Sequence, residues 1–472
     1  MLKTQSRNLI LQTDSYKFTH WKQYPPGTEF VYSYLESRGG MFGQTLFFGL
    51  QYYLKEYLSG PVVIEDDVNE AQSFVDQHLG PGNFNLAGWR HIVHKHGGRL
   101  PVTIKAVQEG TIVDVQNVLM TIENTDPHCW WLPNYLETLL LKVWYPITVA
   151  TLSRAIRRVF LSALERSGDP ELIDFKLHDF GYRGVSSEET AGIGASAHLV
   201  NFKGTDTVAG IRILQRYYGS TAMEGFSVPA AEHSTITSWG REHETQAYDN
   251  MLTRFPQGTV AVVSDSYNVY EACEKLWGQI LHDKVIERPG TLVVRPDSGN
   301  PRQVVLKVLE ILAGKFGSST NSKGYRVLNP KVRVIQGDGV NYWTIQDTLT
   351  AMNRAGWSAD NISFGMGGAL LQQLNRDTQK FAFKTSNVTV NGADRDVFKD
   401  PVEGHDKASK RGRLALHFRG GAWSTDQVHR DSVDPDDRLR PVYRDGQLLV
   451  EQTVAEVREC ANSQEDVLLA GP

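Results

Sequence analysis

Cysteine is scarce in this chain of 472 residues, which contains Cys129, Cys273 and Cys460 and no other. The three are odd in number, widely spaced and never arranged as CxxC. A disulfide framework, or a zinc site built on paired cysteines, is therefore not expected. The composition instead predicts buried thiols in a reducing compartment, and hence a cytoplasmic protein.

Long apolar runs and an excess of positive charge are also missing. The stretch 8–11 is too short for the apolar part of a signal peptide, and Lys142 and Pro146 interrupt the apolar run near Leu139. Neither a signal peptide nor a membrane span is predicted. The net charge is −5 with both signs interspersed, which argues against nucleic-acid binding and confines any anion site to a local cluster.

What is present is the composition of a soluble globular protein, 40% hydrophobic and 22% charged. Because 472 residues exceed one ordinary core, the length predicts two domains, or one large domain with a satellite. The pattern of apolar and polar residues predicts a mixed α+β part at 1–150 and a βα catalytic domain at 151–385. The remainder, 386–472, is β-rich and is expected to pack with the N-terminal part.

Local periodicity predicts the elements outside the catalytic domain. Helices are expected at Gln44–Leu58 and Asp66–Leu79, and a long helical stretch at Leu132–Arg166 with an interruption at Pro146. Alternating residues predict a hairpin over 102–123 and a strand over 381–390.

Beyond residue 175 the chain repeats one unit, a short apolar strand, a turn rich in Gly and Asp, and an amphipathic helix. The strands and their helices are Thr259–Val263 with Tyr267–Trp277, Thr291–Val294 with Gln303–Lys315, Lys331–Ile335 with Tyr342–Arg354, and Asn361–Phe364 with Leu370–Asp377. Such repeats indicate a parallel sheet covered by helices. A βα barrel is predicted, with its active site at the carboxyl ends of the strands; a doubly wound open sheet is the alternative.

The most informative motif is His-Asp-Phe-Gly-Tyr-Arg-Gly-Val-Ser-Ser at 178–187. Its phenylalanine and arginine suit a planar ligand that carries phosphate, because the ring stacks and the guanidinium pairs with oxygens. The motif leads into a predicted helix capped by Ser186 with Glu189 three residues later.

This stretch, continuing to Thr207, closely resembles the nicotinamide phosphoribosyltransferase family, whose members join nicotinamide to phosphoribosyl pyrophosphate in NAD salvage. The resemblance extends from about Thr13 to Arg413. It implies a type-II phosphoribosyltransferase-like irregular βα barrel with a second, β-rich α+β domain formed by the N- and C-terminal parts. It also implies Mg²⁺, ATP as co-substrate, and a homodimer with shared active sites.

The reaction passes through a cationic sugar and expels pyrophosphate, so it needs cations for the leaving group and carboxylates for the ribose. Candidate phosphate and pyrophosphate contacts are Arg38, Arg183, Arg295, Arg376, Lys399 and Lys407. Asp297 and Asp338 are candidates for contacts to ribose hydroxyls or to metal, while Gly337, Gly367 and Gly368 would let backbone N–H groups approach the 5′-phosphate. By resemblance, Gly367 and Gly368 bind that phosphate, Asp297 contacts the ribose, and Arg295 lies against base and ribose. Which residues bind the metal directly is left open.

The nicotinamide ring is assigned to Phe180 by resemblance, with Asp14 and Tyr16 of the partner subunit reaching the same pocket. Asp206 is the expected selectivity residue. Its carboxylate accepts a hydrogen bond from the amide of nicotinamide and would repel the carboxylate of nicotinate.

His233 matches a histidine that ATP phosphorylates in the family. One ring nitrogen must then be free to attack while an acceptor holds the other. Asp265 is the first candidate acceptor and Glu232 the second. No GxxxxGK[ST] loop occurs in the sequence, so ATP is expected in the phosphoribosyl pocket by resemblance.

Three residues depart from the family pattern, namely Met366 and Ala369 in the glycine-rich turn and Ala261 behind the nicotinamide pocket.

Two rival functions remain. A nicotinate phosphoribosyltransferase of the same fold is disfavoured by Asp206. A non-catalytic nucleotide-binding or signalling protein is disfavoured because a binder needs no phosphorylatable histidine.

Overall fold

The computed structural model describes residues 8–399, 409–430, 432 and 434–464. The chain forms two compact units. The first comprises Met1–Thr151, Gln215–Ser220 and Asn375–Pro472, and the second comprises Leu152–Leu214 and Thr221–Leu374. The short segment 215–220 belongs to the first unit because the amide of Gln51 donates to the carbonyl of Tyr217 at 2.7 Å. In addition, the Tyr218 hydroxyl donates to Glu109 at 2.7 Å.

The strands lie in both units. In chain order they are β1 (Thr28–Ser37), β2 (Gln44–Leu46), β3 (Val102–Ala106), β4 (Ile112–Asp114), β5 (Val118–Asn124), β6 (Leu177–Asp179), β7 (Gly204–Thr205), β8 (Gly258–Val263), β9 (Gly290–Arg295), β10 (Ser318–Thr320), β11 (Arg326–Leu328), β12 (Val332–Gln336), β13 (Ile362–Met366), β14 (Phe381–Val390), β15 (Ala393–Asp396), β16 (Arg413–Arg419), β17 (Ala422–Val428), β18 (Arg440–Arg444) and β19 (Gln447–Leu448).

The α-helices range from three residues in α11 to 24 in α6. They are α1 (Leu50–Tyr53), α2 (Glu65–Leu79), α3 (Leu86–His96), α4 (Leu132–Tyr135), α5 (Glu137–Leu140), α6 (Trp144–Ser167), α7 (Glu188–His198), α8 (Val208–Tyr217), α9 (His233–Thr237), α10 (Glu244–Arg254), α11 (Val269–Glu271), α12 (His282–Glu287), α13 (Pro301–Phe316), α14 (Tyr342–Arg354), α15 (Gly368–Leu371) and α16 (Val454–Ser463).

The first unit is built on a seven-stranded sheet with the order β15-β14-β1-β5-β3-β18-β19. Its pairs are antiparallel, and β1 lies between β14 and β5. Val31 of β1 and Val388 of β14 are partners in the ladder and form a buried cluster with Val390. The expected strand over 381–390 is thus present, and it brings the C-terminal part of the chain against the N-terminal part.

Two predicted helices in this unit differ from the observed elements. Over Gln44–Leu58 the structure has β2, one turn of α1 and a π-helical turn from Leu54. The long stretch from Leu132 is divided into α4, α5, a 3₁₀ turn and α6. Pro146 does not interrupt it, because this residue lies in the first turn of α6, where a backbone N–H has no partner within the helix.

The stretch Pro127–Ser167 is long and apolar enough to cross a membrane, judged by length and composition alone. The sequence expectation of no such stretch was therefore too strict. However, 72% of its most apolar window is buried within the protein. Burial of that kind is typical of a core helix in a globular protein.

The second unit contains a six-stranded parallel sheet in the order β7-β6-β13-β12-β9-β8. The two edge strands are joined by the segment 226–231. Thr205 of β7 donates to the carbonyl of Phe226 at 3.0 Å, and Ala231 donates to the carbonyl of Ala261 in β8 at 2.9 Å. Because one segment pairs with both edges, the sheet curls into an irregular barrel. The open doubly wound alternative is therefore wrong.

The four predicted strand–turn–helix units all lie in this barrel. Their strands are β8, β9, β12 and β13, and α13 and α14 follow where helices were expected. The last predicted helix, Leu370–Asp377, is wrong beyond its first turn. It ends with α15 because the Asn375 side chain accepts from the N–H groups of Asp377 and Thr378, which starts a separate 3₁₀ turn.

Candidate active site

A cavity of about 760 Å³ opens at the carboxyl ends of the barrel strands. It is lined by Phe180, Tyr182, Arg183, Asp206, Arg295, Asp297, Gly337, Asp338 and Gly367. All but Tyr182 are candidates from the sequence. They come together because parallel strands direct every following turn to the same end of the barrel.

Phe180 follows β6 and its ring lies directly on the backbone of β13. Its N–H donates to the carbonyl of Met366 at 3.0 Å. A Cβ placed on Gly365 would come within 1.9 Å of the Phe180 ring. Glycine at 365 is thus what lets the ring settle against the strand with its other face toward the cavity. Met366 is itself buried, so this departure from the family pattern contributes to the core and not to the cavity surface.

Asp206 is held by two side chains at the cavity wall. Its Oδ1 accepts from His178 Nε2 at 3.0 Å and from the Ser227 hydroxyl at 2.5 Å. Partial burial acts to raise the pKa of Asp206, but the hydrogen bond and charge of His178, the Ser227 hydroxyl and the charge of Arg295 together lower it below its usual value. The carboxylate is therefore ionised and oriented near neutral pH.

Beneath it, the fully buried Asp179 fixes the two turns that carry the pocket residues. Its carboxylate accepts from the Gly181 N–H at 2.7 Å and from the Thr205 hydroxyl at 3.0 Å. Its carbonyl accepts from the Asp206 N–H at 2.9 Å. Asp179 thus positions Phe180 and Asp206 relative to each other.

Arg295 and Asp297 follow β9. A guanidinium nitrogen of Arg295 lies 3.8 Å from Asp297 Oδ2. Burial raises the pKa of Asp297, with the charges of Asp265 and Asp338 acting in the same direction and those of Arg295 and His233 against it. A Cβ on Gly337 would approach Asp297 Oδ1 to 2.3 Å. The glycine therefore allows the turn after β12 to lie against this carboxylate.

His233 is the first residue of α9 and contacts two carboxylates. Its Nε2 lies 2.9 Å from Asp265 Oδ1, and its Nδ1 lies 3.9 Å from Asp297 Oδ2. The other oxygen of Asp265 accepts from the Asp297 N–H at 2.9 Å and from the Ser298 hydroxyl at 2.5 Å. Asp265 is nearly buried whereas the His233 ring is 47% exposed. The carboxylate thus holds Nε2–H and leaves Nδ1 available for reaction.

The second acceptor candidate, Glu232, has a different contact. It is the N-cap of α9 and accepts a hydrogen bond from Ser234. Arg183 lies 3.9 Å from it, with 89% of the arginine side chain exposed. Arg183 can therefore turn toward a phosphate without breaking a tight ion pair.

The glycine-rich turn after β13 has open space next to Gly368. A Cβ on Gly368 would meet nothing within 4 Å, and one on Gly367 would meet the Phe180 carbonyl at 3.5 Å. The turn thus has room for an anion beside its backbone, at the start of α15.

The remaining predicted residues belong to the first unit or lie outside the described part. Arg38 pairs with Glu36 at 2.8 Å, and Arg376 pairs with Asp377 at 3.1 Å. Asp14 accepts from the Thr138 hydroxyl at 2.6 Å. Tyr16 is 58% exposed and Lys399 is exposed. Lys407 lies outside the described residues, and the roles of all six stay predictions.

Sequence reasoning missed Tyr182, which lines the cavity, and also missed His178, Ser227 and Ser298 as site residues. His178 could have been found, since it is two residues before Phe180 and strand alternation places both on one face. Ser227 and Ser298 carry no such signal. The predicted cap of α7 was wrong by one residue, because Ser187 and not Ser186 accepts from the backbone, at the N–H of Thr190.

Comparison with known proteins identifies the family to which this chain is similar. Residues 175–447 match the family model described as the nicotinate phosphoribosyltransferase (NAPRTase) family, and residues 8–104 match the nicotinamide phosphoribosyltransferase N-terminal domain. A nicotinamide phosphoribosyltransferase of Xanthomonas campestris is 52% identical over 467 residues, covering 97% of this chain and 98% of the relative. One of Acinetobacter baylyi is 30% identical, with 96% of each chain covered.

Solved structures agree at the level of the fold. A nicotinate-nucleotide pyrophosphorylase from Pyrococcus furiosus superposes with a TM-score of 0.61 at 15% identity, covering 100% of this chain and 99% of the other. Human nicotinic acid phosphoribosyltransferase gives a TM-score of 0.58 at 16% identity, covering 96% of this chain and 94% of the other. These chains share the barrel with its accompanying antiparallel-sheet unit.

Proposed function

The chain belongs to the nicotinate phosphoribosyltransferase family of pentosyltransferases, and we propose that it transfers phosphoribose from phosphoribosyl pyrophosphate to nicotinamide. The observation that carries the proposal is the cavity itself. One wall offers a flat ring and an ionised carboxylate, and the adjoining wall offers cations and a glycine turn. The first pair suits an aromatic amide and the second a phosphorylated sugar.

Nicotinamide is held by Phe180 and Asp206. The ring stacks on the exposed face of Phe180, which gives a poor nucleophile the fixed direction it needs for attack on the anomeric carbon. The carboxamide N–H₂ donates to Asp206, whose charge His178 and Ser227 preserve. Nicotinate would bring a second carboxylate to this position, so the same interaction disfavours it.

The phosphoribosyl group is held at the other end of the cavity. Asp297 accepts from ribose hydroxyls, and Arg295 lies between base and sugar. Gly367 and Gly368 receive the 5′-phosphate, with Arg183 contributing charge. Gly337 and Asp338 border the same space.

The carboxylates of Asp297 and Asp338 fit a Mg²⁺ ion, because hard oxygen donors are its preferred ligands. Burial, and to a smaller extent the charges of Asp265 and Asp338, raises the pKa of Asp297, and a cation at this position would offset those effects. Bound there, Mg²⁺ would supply positive charge to the departing pyrophosphate. Arg183 and Arg295 add to that charge from the protein.

ATP coupling is assigned to His233. Its Nδ1 attacks the γ-phosphorus of ATP, the bond to the β-phosphate oxygen breaks, and ADP leaves while a phosphohistidine forms. Asp265 holds Nε2–H throughout and stabilises the positive ring. Hydrolysis of the phosphohistidine, linked to product release, then drives synthesis forward.

Two further expectations accompany this activity. We propose a homodimer in which Asp14 and Tyr16 of the partner subunit complete each pocket, together with the cations of the first unit. We also propose a cytoplasmic location, in keeping with the free thiols at Cys129, Cys273 and Cys460.

The test is product formation by the pure protein with Mg²⁺, phosphoribosyl pyrophosphate and either nicotinamide or nicotinate, separated by chromatography. We expect nicotinamide mononucleotide and little nicotinate mononucleotide. Asp206→Asn should reduce the preference about 10- to 100-fold, the value of one charge-assisted hydrogen bond. Preferential use of nicotinate would establish the rival activity, and no product with either base would support a binding protein.

Ser227→Ala is the matched control for Asp206→Asn. It removes one hydrogen bond to Asp206 but keeps the carboxylate and His178. The preference should therefore fall by less than in Asp206→Asn. An unchanged preference in Asp206→Asn would assign selectivity to another residue.

A further inference from the structure

We propose that His91, His96, Asp126 and Cys129, all in the first unit, form a binding site for a divalent ion of the Zn²⁺ class. No step of the proposed reaction uses these residues. Because the chain lacks paired cysteines, the sequence offers no familiar zinc motif here. The site arises from two short segments that the fold brings together.

Three ligand atoms already converge on one point. The Nε2 atoms of His91 and His96 lie 2.8 Å and 2.7 Å from the same oxygen, Oδ2 of Asp126. With Cys129 included, one ligand atom from each residue lies within 4.8 Å of the others. Ligand atoms around tetrahedral Zn²⁺ are about 3.3–3.8 Å apart, as its bond lengths require. Binding an ion would therefore lengthen the two N···O distances by about 0.5 Å and shorten the widest separation by up to about 1 Å.

The elements that carry these side chains hold them firmly. His91 and His96 lie in the last half of α3, and Asp126 caps the 3₁₀ turn Pro127–Cys129. Oδ1 of Asp126 accepts from the His128 N–H at 2.9 Å, which directs Oδ2 toward the two imidazoles. The N–H of Cys129 donates to the Asp126 carbonyl at 2.9 Å. A ligand oriented in this way by the backbone resembles those of established metal sites.

The donor set fits Zn²⁺ better than Mg²⁺ or Ca²⁺. Imidazole and thiolate are soft or borderline ligands, whereas the alkaline-earth ions prefer oxygen. One carboxylate and one thiolate also neutralise a divalent charge, which favours binding in a partly buried place. The His91 and His96 side chains are 25% and 22% exposed, so an ion can enter from solvent, while Cys129 closes the inner side.

An ion-pair network without metal explains only part of this arrangement. The two histidines and Lys95, whose Nζ lies 3.3 Å from Asp126 Oδ2, would satisfy the carboxylate. They leave out Cys129, whose buried Sγ belongs to the same cluster of ligand atoms. Lys95 is 58% exposed and can move into solvent when an ion replaces its charge.

The experiment uses the full chain after chelator treatment. The protein is equilibrated with Zn²⁺ in excess Mg²⁺, which competes with Zn²⁺ for the carboxylates of the catalytic cavity, and bound zinc is measured by elemental analysis. Competition with a chromophoric chelator gives the affinity. Substitution with Co²⁺ reports on the ligands, because a thiolate ligand adds a charge-transfer band in the near ultraviolet and tetrahedral geometry adds visible bands.

We expect one Zn²⁺ per chain, with affinity lowered at least about 100-fold in His96→Asn and in Cys129→Ala. His94→Asn is the matched control, since His94 lies on the same helix, is 70% exposed and faces Glu65. It should bind zinc like the parent. Absence of zinc in the parent, equal affinity in the ligand variants, or a Co²⁺ spectrum without the thiolate band would overturn the proposal. If Cys129→Ala does not fold, the partly exposed His96→Asn provides the same comparison.

Discussion

Gly365→Ala tests whether the ring of Phe180 is the nicotinamide platform. The added Cβ would lie 1.9 Å from the ring, whereas ordinary contact begins at 3.4 Å. The ring must therefore retreat by about 1.5 Å toward the space assigned to nicotinamide. Because a misplacement of about 1 Å at a reacting centre costs on the order of 100-fold in rate, kcat/KM for nicotinamide should fall by about that factor.

The assay is steady-state synthesis of nicotinamide mononucleotide, with thermal unfolding to verify the fold. Gly314→Ala is the matched control, since Gly314 lies in the last turn of α13 and a Cβ there meets nothing within 4 Å. It should leave activity unchanged. In a Phe180→Ala background the clash is absent, so Gly365→Ala should add little further loss. An equal loss in both backgrounds, or a change below about twofold in the single variant, would refute the reasoning.

Two more predictions concern coupling and assembly. Asp265→Asn should lower the rate of His233 phosphorylation by ATP about 10²- to 10⁴-fold, because the amide no longer fixes the reactive tautomer. Ser298→Ala removes only another partner of Asp265 and should retain most of the phosphorylation rate. The acid-labile phosphate on each variant, measured by mass spectrometry, distinguishes the two substitutions. If sites are shared, Tyr16→Ala and His233→Ala chains, each weak alone, should recover about half of parental coupled activity per mixed dimer. No recovery in verified mixed dimers would indicate sites contained within one chain.

The barrel could be predicted because its signal is repetitive and local. β8, β9, β12 and β13 are short stretches rich in apolar residues. Each is followed by a turn of glycines or polar residues that have no role in the core. Parallel pairing then brings those turns together without any further information. This is why Asp297, Asp338 and Gly367, distant in sequence, were assigned to one site and line one cavity.

Features that depend on distant contacts could not be predicted. The segment 226–231 has no strand pattern, yet it pairs with both edge strands because each offers unpaired backbone groups. The joining of 215–220 to the first unit depends on hydrogen bonds to Gln51 and Glu109. The helix expected after Leu371 ends early because Asn375 offers a better cap than another helical turn.

The segment 226–231, which pairs with both edge strands of the barrel, also links base selection to energy coupling. Ser227 lies within it and donates to Asp206, and His233 follows it at the start of α9, where Asp265 holds the ring. The same few residues therefore complete the barrel, orient the proposed selectivity carboxylate and present the proposed phosphate acceptor. A substitution that loosens the pairing of Ala231 with Ala261 should then affect both base preference and ATP coupling, whereas Asp206→Asn should change the preference alone.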